Sequence, residues 1–199
     1  MKLRHVFACL LLAFGAPAMA QDAKSVIATA SKAMGLDGVN SLYYYGSGRS
    51  YSIGQNNNAN IPWPQTPLND WVRAIDFAQP AMRTTWNTYA VPVTGGAATL
   101  QKGQQNVTPA QANNWNLQLE IWTTPWGFIK GAAASGNASV KTENVGGKPY
   151  RVVTWSPATK SPGGQIYKLV GWINADNLVT KVNTWVEHNI FGDLQVESE

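Results

Sequence analysis

Between residues 41 and 186, short aromatic and β-branched runs are cut repeatedly by glycine, proline or asparagine. That punctuation restricts the chain to strands and tight turns, because no run is long enough for a large helix. Leu42-Tyr43-Tyr44-Tyr45, followed by Tyr51 and Ile53, is the first such run. Gly46 and Gly48 interrupt it, and glycines inside a strand pattern predict a bulge or a bend in a curved sheet. Gln55 to Pro67 reads as a loop, with Ile61-Pro62-Trp63-Pro64 held extended by its prolines. Strands are expected over Asp70–Phe77, where Trp71, Arg73, Ile75 and Phe77 share a face, and over Met82–Val91. Thr94 to Thr108 reads as a hairpin or flexible connection, and Trp115 to Trp122 as a further alternating strand.

Helical signals are fewer. Asp22 is placed to cap a helix starting at Ala23, with Val26, Ile27, Ala30, Ala33 and Met34 on one face and Gly35 at its end. Thr124-Pro125 predicts a second helix, capped by Thr124 and ending near Gly136. Two hairpins close the chain: Ser139–Val145 with Tyr150–Trp155 across Gly146-Gly147, and Ile166–Ile173 with Val179–Val186 across Asp176-Asn177. With seven to nine strands and no strand–helix rhythm, the expected fold is α+β and mainly β. It is a curved, half-barrel-like antiparallel sheet with two short helices packed on one side.

The first twenty residues have a separate logic. Lys2 and Arg4 form a positive end, Val6 to Ala16 is apolar, and Ala18-Met19-Ala20 is a small-x-small cleavage site. The expectation is a signal peptide over 1–20, cleavage after Ala20, and a single β-rich module over 21–199 that is periplasmic or secreted. The apolar run is short of the ~20 residues a bilayer span needs, so no transmembrane segment is expected in the mature chain. Cys9, the only cysteine, lies inside the apolar run, so the mature chain must be stable without disulfides. Cleavage also removes two basic residues, leaving thirteen against eleven acidic ones. No Lys/Arg cluster survives, and a nucleic-acid partner is not expected.

The residue inventory argues against catalysis. Three or four His, Cys, Asp or Glu must converge to hold a catalytic metal, and the mature chain has one histidine, His188. A Ser-His-Asp triad would need that same histidine, and no Gly-x-Ser-x-Gly elbow accompanies it. Gly95-Gly96, Gly146-Gly147 and Gly163-Gly164 lack the context of a phosphate loop. The reading assigns no catalytic residue, no metal and no cofactor. Asn106-Val107-Thr108 and Asn137-Ala138-Ser139 match the short glycosylation acceptor. Tryptophan is the unusual residue, with nine copies. Aromatic platforms bind sugars, single-stranded nucleic acid and apolar ligands. Trp63, Trp126, Tyr44 and Trp122 are the candidate ligand-binding residues, against the plainer alternative that most tryptophans fill the core.

Several stretches occur together in a distinctive order: Tyr43 to Gly48, Ile61 to Pro64, Arg73 to Phe77 and Pro80 to Arg83. Farther on come Ile121 to Phe128 and Val179 to Trp185. This order resembles the N-terminal, pre-catalytic region of exported bacterial metallo-β-lactamase-fold metallo-hydrolases. The resemblance implies a β-rich module that precedes a metal-binding domain. The architecture is also similar, by fold analogy alone, to periplasmic lipoprotein carriers. The catalytic part of the family needs a His-x-His-x-Asp-His cluster, which this sequence lacks, so no catalytic residue carries over. The chain closes at Val196–Glu199 in mid-pattern, reading as a module cut from something longer or as one that persists alone. Three functions stay open: a non-catalytic module whose partner is a downstream metallo-β-lactamase-fold domain, a stand-alone periplasmic carrier of an apolar or lipid-like molecule bound in a concave sheet, or an enzyme acting through a carboxylate pair or His188.

Overall fold

The computed structural model describes residues 15–56, 58–90, 99–108, 115–188 and 191–199. Its elements run α1 (Gly15–Ala33), β1 (Ser41–Tyr51), β2 (Gln65–Asp76), β3 (Ala81–Ala90), β4 (Thr99–Thr108), α2 (Trp115–Thr123) and α3 (Pro125–Ser135). Then follow β5 (Ser139–Val145), β6 (Lys148–Trp155), β7 (Leu169–Ile173), β8 (Val179–His188) and β9 (Gly192–Ser198). The protein is mainly β and antiparallel throughout, as expected. The strands form two sheets, β1-β2-β3-β4 and β5-β6-β7-β8-β9, and neither closes into a barrel. The chain divides into two compact units: Asn40–Ala112, which holds the first sheet, and Met1–Val39 with Asn113–Glu199, which holds the second.

In the larger unit, α1 contacts β5, α2 contacts β8, and α3 contacts β6 and β8. Expected and observed boundaries of α1 differ at one end. The helix begins by Gly15, so Asp22 lies inside it and does not cap it. Residues 1–14 of the proposed leader lie outside the described residues. At the other end the expectation holds. Gly35 has φ +67°, its amide bonds Lys32 O at 3.1 Å, and Leu36 N reaches back to Ser31 O at 2.9 Å. These are the paired 5→2 and 6→1 bonds of a Schellman motif, and buried Leu36 and Ala30 supply its apolar contact.

Trp115–Trp122, expected as a strand, is helix α2. A short apolar run fits both periods, and here Trp115, Leu119 and Trp122 at i, i+4 and i+7 win because they reach one core. Thr124 then separates two helices: its hydroxyl donates to Ile121 O at 2.8 Å and accepts from Gly127 N at 3.0 Å. Pro125 opens α3 and Gly136, at φ +68°, ends it, as the sequence predicts.

The core lies between α3 and the five-stranded sheet. Phe128, Val153, Leu169, Ile173 and Val182 are all fully buried there. Two glycines set how closely the layers approach. A Cβ on Gly171, in central strand β7, would lie 2.4 Å from the Phe128 ring. A Cβ on Gly131, in α3, would lie 2.2 Å from the Trp155 indole. The helix thus sends a ring into the sheet, and the sheet sends one into the helix. The β5–β6 connection is a two-residue turn, with Val145 paired to Lys148 and both Gly146 and Gly147 at positive φ. That is the type I′ geometry two glycines favour. Asn177, at φ +65°, likewise makes the β7–β8 turn.

In the four-stranded unit the anticipated bulge is one of three. Register shifts between Gly46 and Gly48, between Asn69 and Val72, and between Trp86 and Thr88. The extra residues sit on β2 and β4, where Asp70 and Gly103 take positive φ. Asn87 on β3 ties both: its Nδ2 donates to Asp70 Oδ2 at 2.7 Å, and its Oδ1 accepts from Gly103 N at 3.0 Å. One expectation needs correction here: Gln65–Pro67 is strand, not loop. Of the two readings of Thr94–Thr108 the hairpin holds, since Thr99–Thr108 pairs antiparallel with β3. Polar, Gln-rich strands carry little hydrophobic signal, and pairing to β3 decides them. Val91 and Thr94–Ala98 lie outside the described residues. On one face Leu42, Ile75 and Met82 form a cross-strand row, and beside it Arg73 Nε donates to Thr84 Oγ1 at 3.0 Å.

Gly171→Ala is expected to destabilise the larger unit by about 1–3 kcal/mol through overpacking. Its urea midpoint should fall with an unchanged slope, and an unmoved midpoint would refute the ring-into-glycine packing. Asn87→Ala removes two bridging bonds and should cost the four-stranded sheet about 1–2 kcal/mol. Hydrogen exchange reads this locally: the Gly103 amide should lose protection first, and retained protection counts against the clamp.

Candidate functional site

Two cavities of the larger unit bear on function. The first is an open cavity of about 520 Å³ between α1 and α3. Ala23, Ile27, Ala28 and Ala132 give it an apolar lining, with Lys24 and Lys32 among its polar residues. Asp37, also in the lining, accepts a bond from Ser31 Oγ at 3.0 Å. This cavity lies between helices, not on a concave sheet as expected for a carrier.

The second, of about 410 Å³, lies on the sheet face opposite the helices. Alternation produces it: Leu169, Gly171 and Ile173 point to the core, so Lys168, Val170 and Trp172 face outward. Pairing across the Asn177 turn sets Trp172 opposite Lys181 and Val170 opposite Asn183. Lys181 Nζ lies 5.6 Å from the Trp172 ring centre and Lys168 Nζ 5.8 Å from that of Trp185. Val152, paired with Trp172, is buried on this outer face too. The cavity is lined by Trp172, Tyr150, Lys181, Asn183, Glu143 and Glu199, among others.

Its electrostatics are nearly balanced. Lys141 hydrogen-bonds Glu143 at 2.9 Å and, with a bond from Trp172, holds that carboxyl below its ordinary range. Lys181 meets Glu197 at 2.5 Å and Glu199 at 3.7 Å. The Glu197 bond raises Lys181 and lowers Glu197. Glu143 and Glu197, both lowered, contribute stability above the ordinary carboxylate range and lose it as the pH falls below that range through their lowered values. Asn183 is 6% exposed, and its Oδ1 has no hydrogen-bond partner.

The four residues singled out from the sequence sit elsewhere. Trp122 and Trp126 are partly buried against the core, and Trp122 meets Trp155 edge-on at 5.8 Å. Tyr44, in the other unit, packs edge-on against Trp71 at 5.2 Å. Trp63 is half exposed between its prolines. None of the four lines either cavity described above. What sequence reasoning missed is the pairing of the outward face of β7 with Lys181 and Asn183 on β8, whose signal was the hairpin register itself.

Other polar groups are engaged in the scaffold. His188 stacks on Phe191 at 4.9 Å between ring centres and accepts its amide at Nδ1, at 3.3 Å. Glu187 ties down the preceding loop by accepting from Ser161 Oγ at 2.5 Å and Gly163 N at 3.0 Å. Asn137 Nδ2, the atom a glycan would modify, donates to Ser156 O at 2.9 Å. Among the described residues no cluster of three His, Cys, Asp or Glu is arranged to hold a metal ion, and no helix is long and apolar enough to cross a membrane. No protein family, curated protein or solved structure matches the chain.

Tyr167 donates its hydroxyl to Asp193 Oδ1 at 2.6 Å, and that bond pushes the phenol up to about 12 from an ordinary 10.0. A raised pKa means the bond stabilises fully below pH 10.0 and is lost as the pH climbs through 12. Ultraviolet titration should show one tyrosine ionising last, returning toward ordinary behaviour in Asp193→Asn. An unchanged titration in that variant would reject the assignment.

Proposed function

We propose that the chain is an exported, non-catalytic β-rich module related to the region preceding a metallo-β-lactamase-fold domain. Its role is to dock to that domain and position it or its ligand. The observation that carries the reading is where the resembling segments fall. Tyr43–Gly48 lies on β1, Arg73–Asp76 on β2, Ile121–Phe128 spans the Thr124 junction of α2 and α3, and Val179–Trp185 lies on β8. Several of them are bulge, cap and core positions, which supports reading the resembling part as a scaffold, although Tyr43, Tyr45 and residues 61–64 are exposed. The single mature histidine is engaged with Phe191, which also supports a non-catalytic role.

A second reading, a carrier of an apolar or lipid-like molecule, is favoured by the cavity between α1 and α3. An apolar floor with two lysines suits an acyl chain bearing an anionic head. Two measurements separate the readings. The genomic frame beyond the Glu199 codon should encode a His-x-His-x-Asp-His cluster under the first reading, and a stop codon there would sink it. Saturable binding of a fluorescent fatty acid, weakened several-fold in Ala28→Trp, is expected under the second. Export itself predicts a mature N-terminus at Gln21 in cells, read by mass spectrometry, and an unprocessed Met1 form would reject it. Purified chain with added zinc should not hydrolyse a chromogenic β-lactam, and turnover lost on chelation would overturn the non-catalytic assignment.

A further inference from the structure

The edges of the two sheets differ in how they are guarded. Edge strand β4 carries Lys102 and the bulge at Gly103, β5 carries Lys141 and Glu143, and β9 carries Asp193 and Glu197. Charges and bulges of this kind keep an edge from pairing with another chain. Strand β1 is bare by comparison. It runs eleven residues, SLYYYGSGRSY, with Arg49 near one end as its single charge. The extra residue at its bulge lies on β2, so β1 itself is unbroken. Among the described residues no strand pairs with its outer side.

Backbone bonds at the two ends fix what that side presents. Phe77 N donates to Asn40 O at 2.8 Å, and Ser52 N donates to Pro64 O at 3.0 Å. Bonded pairs alternate along an antiparallel ladder, so the even-numbered residues of β1 direct their N–H and C=O at β2. Ser41, Tyr43, Tyr45, Ser47, Arg49 and Tyr51 turn theirs to the open edge, and all six are exposed. Two glycines then lack a reason inside the chain. Gly46 and Gly48 do not take positive φ, and a Cβ on either would meet nothing within 4 Å. Glycine weakens a strand interior, and one reason to keep it there is the close approach of another backbone.

We infer that β1 pairs antiparallel with β1 of a second copy about a two-fold axis at Gly46, joining two four-stranded sheets into one of eight. This register leaves all eleven residues paired, and each two-residue slip removes two of them. In it bulk meets space: Tyr44 lies opposite Gly48, Tyr45 opposite Ser47, Leu42 opposite Ser50 and Tyr51 opposite Ser41. Tyr43 lies opposite Arg49, a cross-strand cation–π pair that keeps the two arginines from facing each other. The strand is complementary to its own reversal, which selects a second copy over an unrelated extended peptide. Edge pairing buries less than the ~1,600 Å² of a standard interface, so the dimer is a weak one. The inference goes beyond both readings of function and holds whichever of them fails.

The test is sedimentation of the purified chain from micromolar to millimolar concentration, which should show a reversible monomer–dimer equilibrium. Hydrogen exchange should show the Tyr43, Tyr45 and Ser47 amides gaining protection with concentration, while those of Leu42 and Tyr44, bonded to β2, are protected throughout. Tyr45→Pro removes an outward N–H and no bond to β2, so it should keep native circular dichroism and weaken the dimer by about tenfold or more. Tyr43→Lys sets a lysine against each Arg49 and should weaken the dimer several-fold, and adding Arg49→Glu to that variant should restore it. A chain that stays monomeric, a dimer whose Tyr43 and Tyr45 amides stay unprotected, or association unchanged in a folded Tyr45→Pro would each overturn the inference. Failure of Arg49→Glu to rescue would overturn the two-fold at Gly46.

Discussion

The larger unit depends on one reciprocal fit. Phe128 leaves α3 to occupy the space over Gly171, and Trp155 leaves β6 to occupy the space over Gly131, their rings 6.1 Å apart. Each glycine lacks the one atom that would hold the layers apart. With both vacancies filled by rings, the helix sits close enough for Ile129 and Ala132 to join the same core as Leu169, Ile173 and Val182. Interiors are packed to crystal-like density, so neither ring can shift without opening a void. The indole N–H groups of Trp115 and Trp155 are buried without a partner, a cost this packing must offset.

The four-stranded unit is organised by polar contacts. Its bulges fall in one band across the sheet, and one side chain, Asn87, is bonded to both strands that carry the extra residue. The sheet therefore bends where an amide can satisfy two displaced strands at once. Tyr43 and Tyr45 alternate with Leu42 and Tyr44 and stay exposed at 72% and 79%. The outward pleat of β1 is therefore aromatic, an arrangement unusual for a solvated edge strand.

What could be read from the sequence divides along physical lines. Thr124, Pro125, Gly136, Gly35 and the Gly146-Gly147 turn were legible because capping and turn geometry are decided within a few residues. Trp115–Trp122 was not, since two periodicities fit eight residues equally and only the core chooses. β4 was hidden because Gln and Thr take strand geometry from a neighbour. The candidate ligand residues followed aromaticity alone. Trp122 and Trp126 pack against the core, whereas the outer-face cavity arises from cross-strand register, which places Trp172 beside Lys181 although they are nine positions apart in the chain.

The end of α1 has a kinetic consequence. Lys130 Nζ on α3 donates to Leu36 O at 2.8 Å, closing a contact 94 residues long. The meander β1–β4 lies wholly inside that span, and its pairings join sequence neighbours. During synthesis, the four-stranded sheet can form by local zippering while the apolar side of α1 has nothing to cover it. Helix α1 emerges before the elements that cover it, and for that interval it is the part most in need of a chaperone.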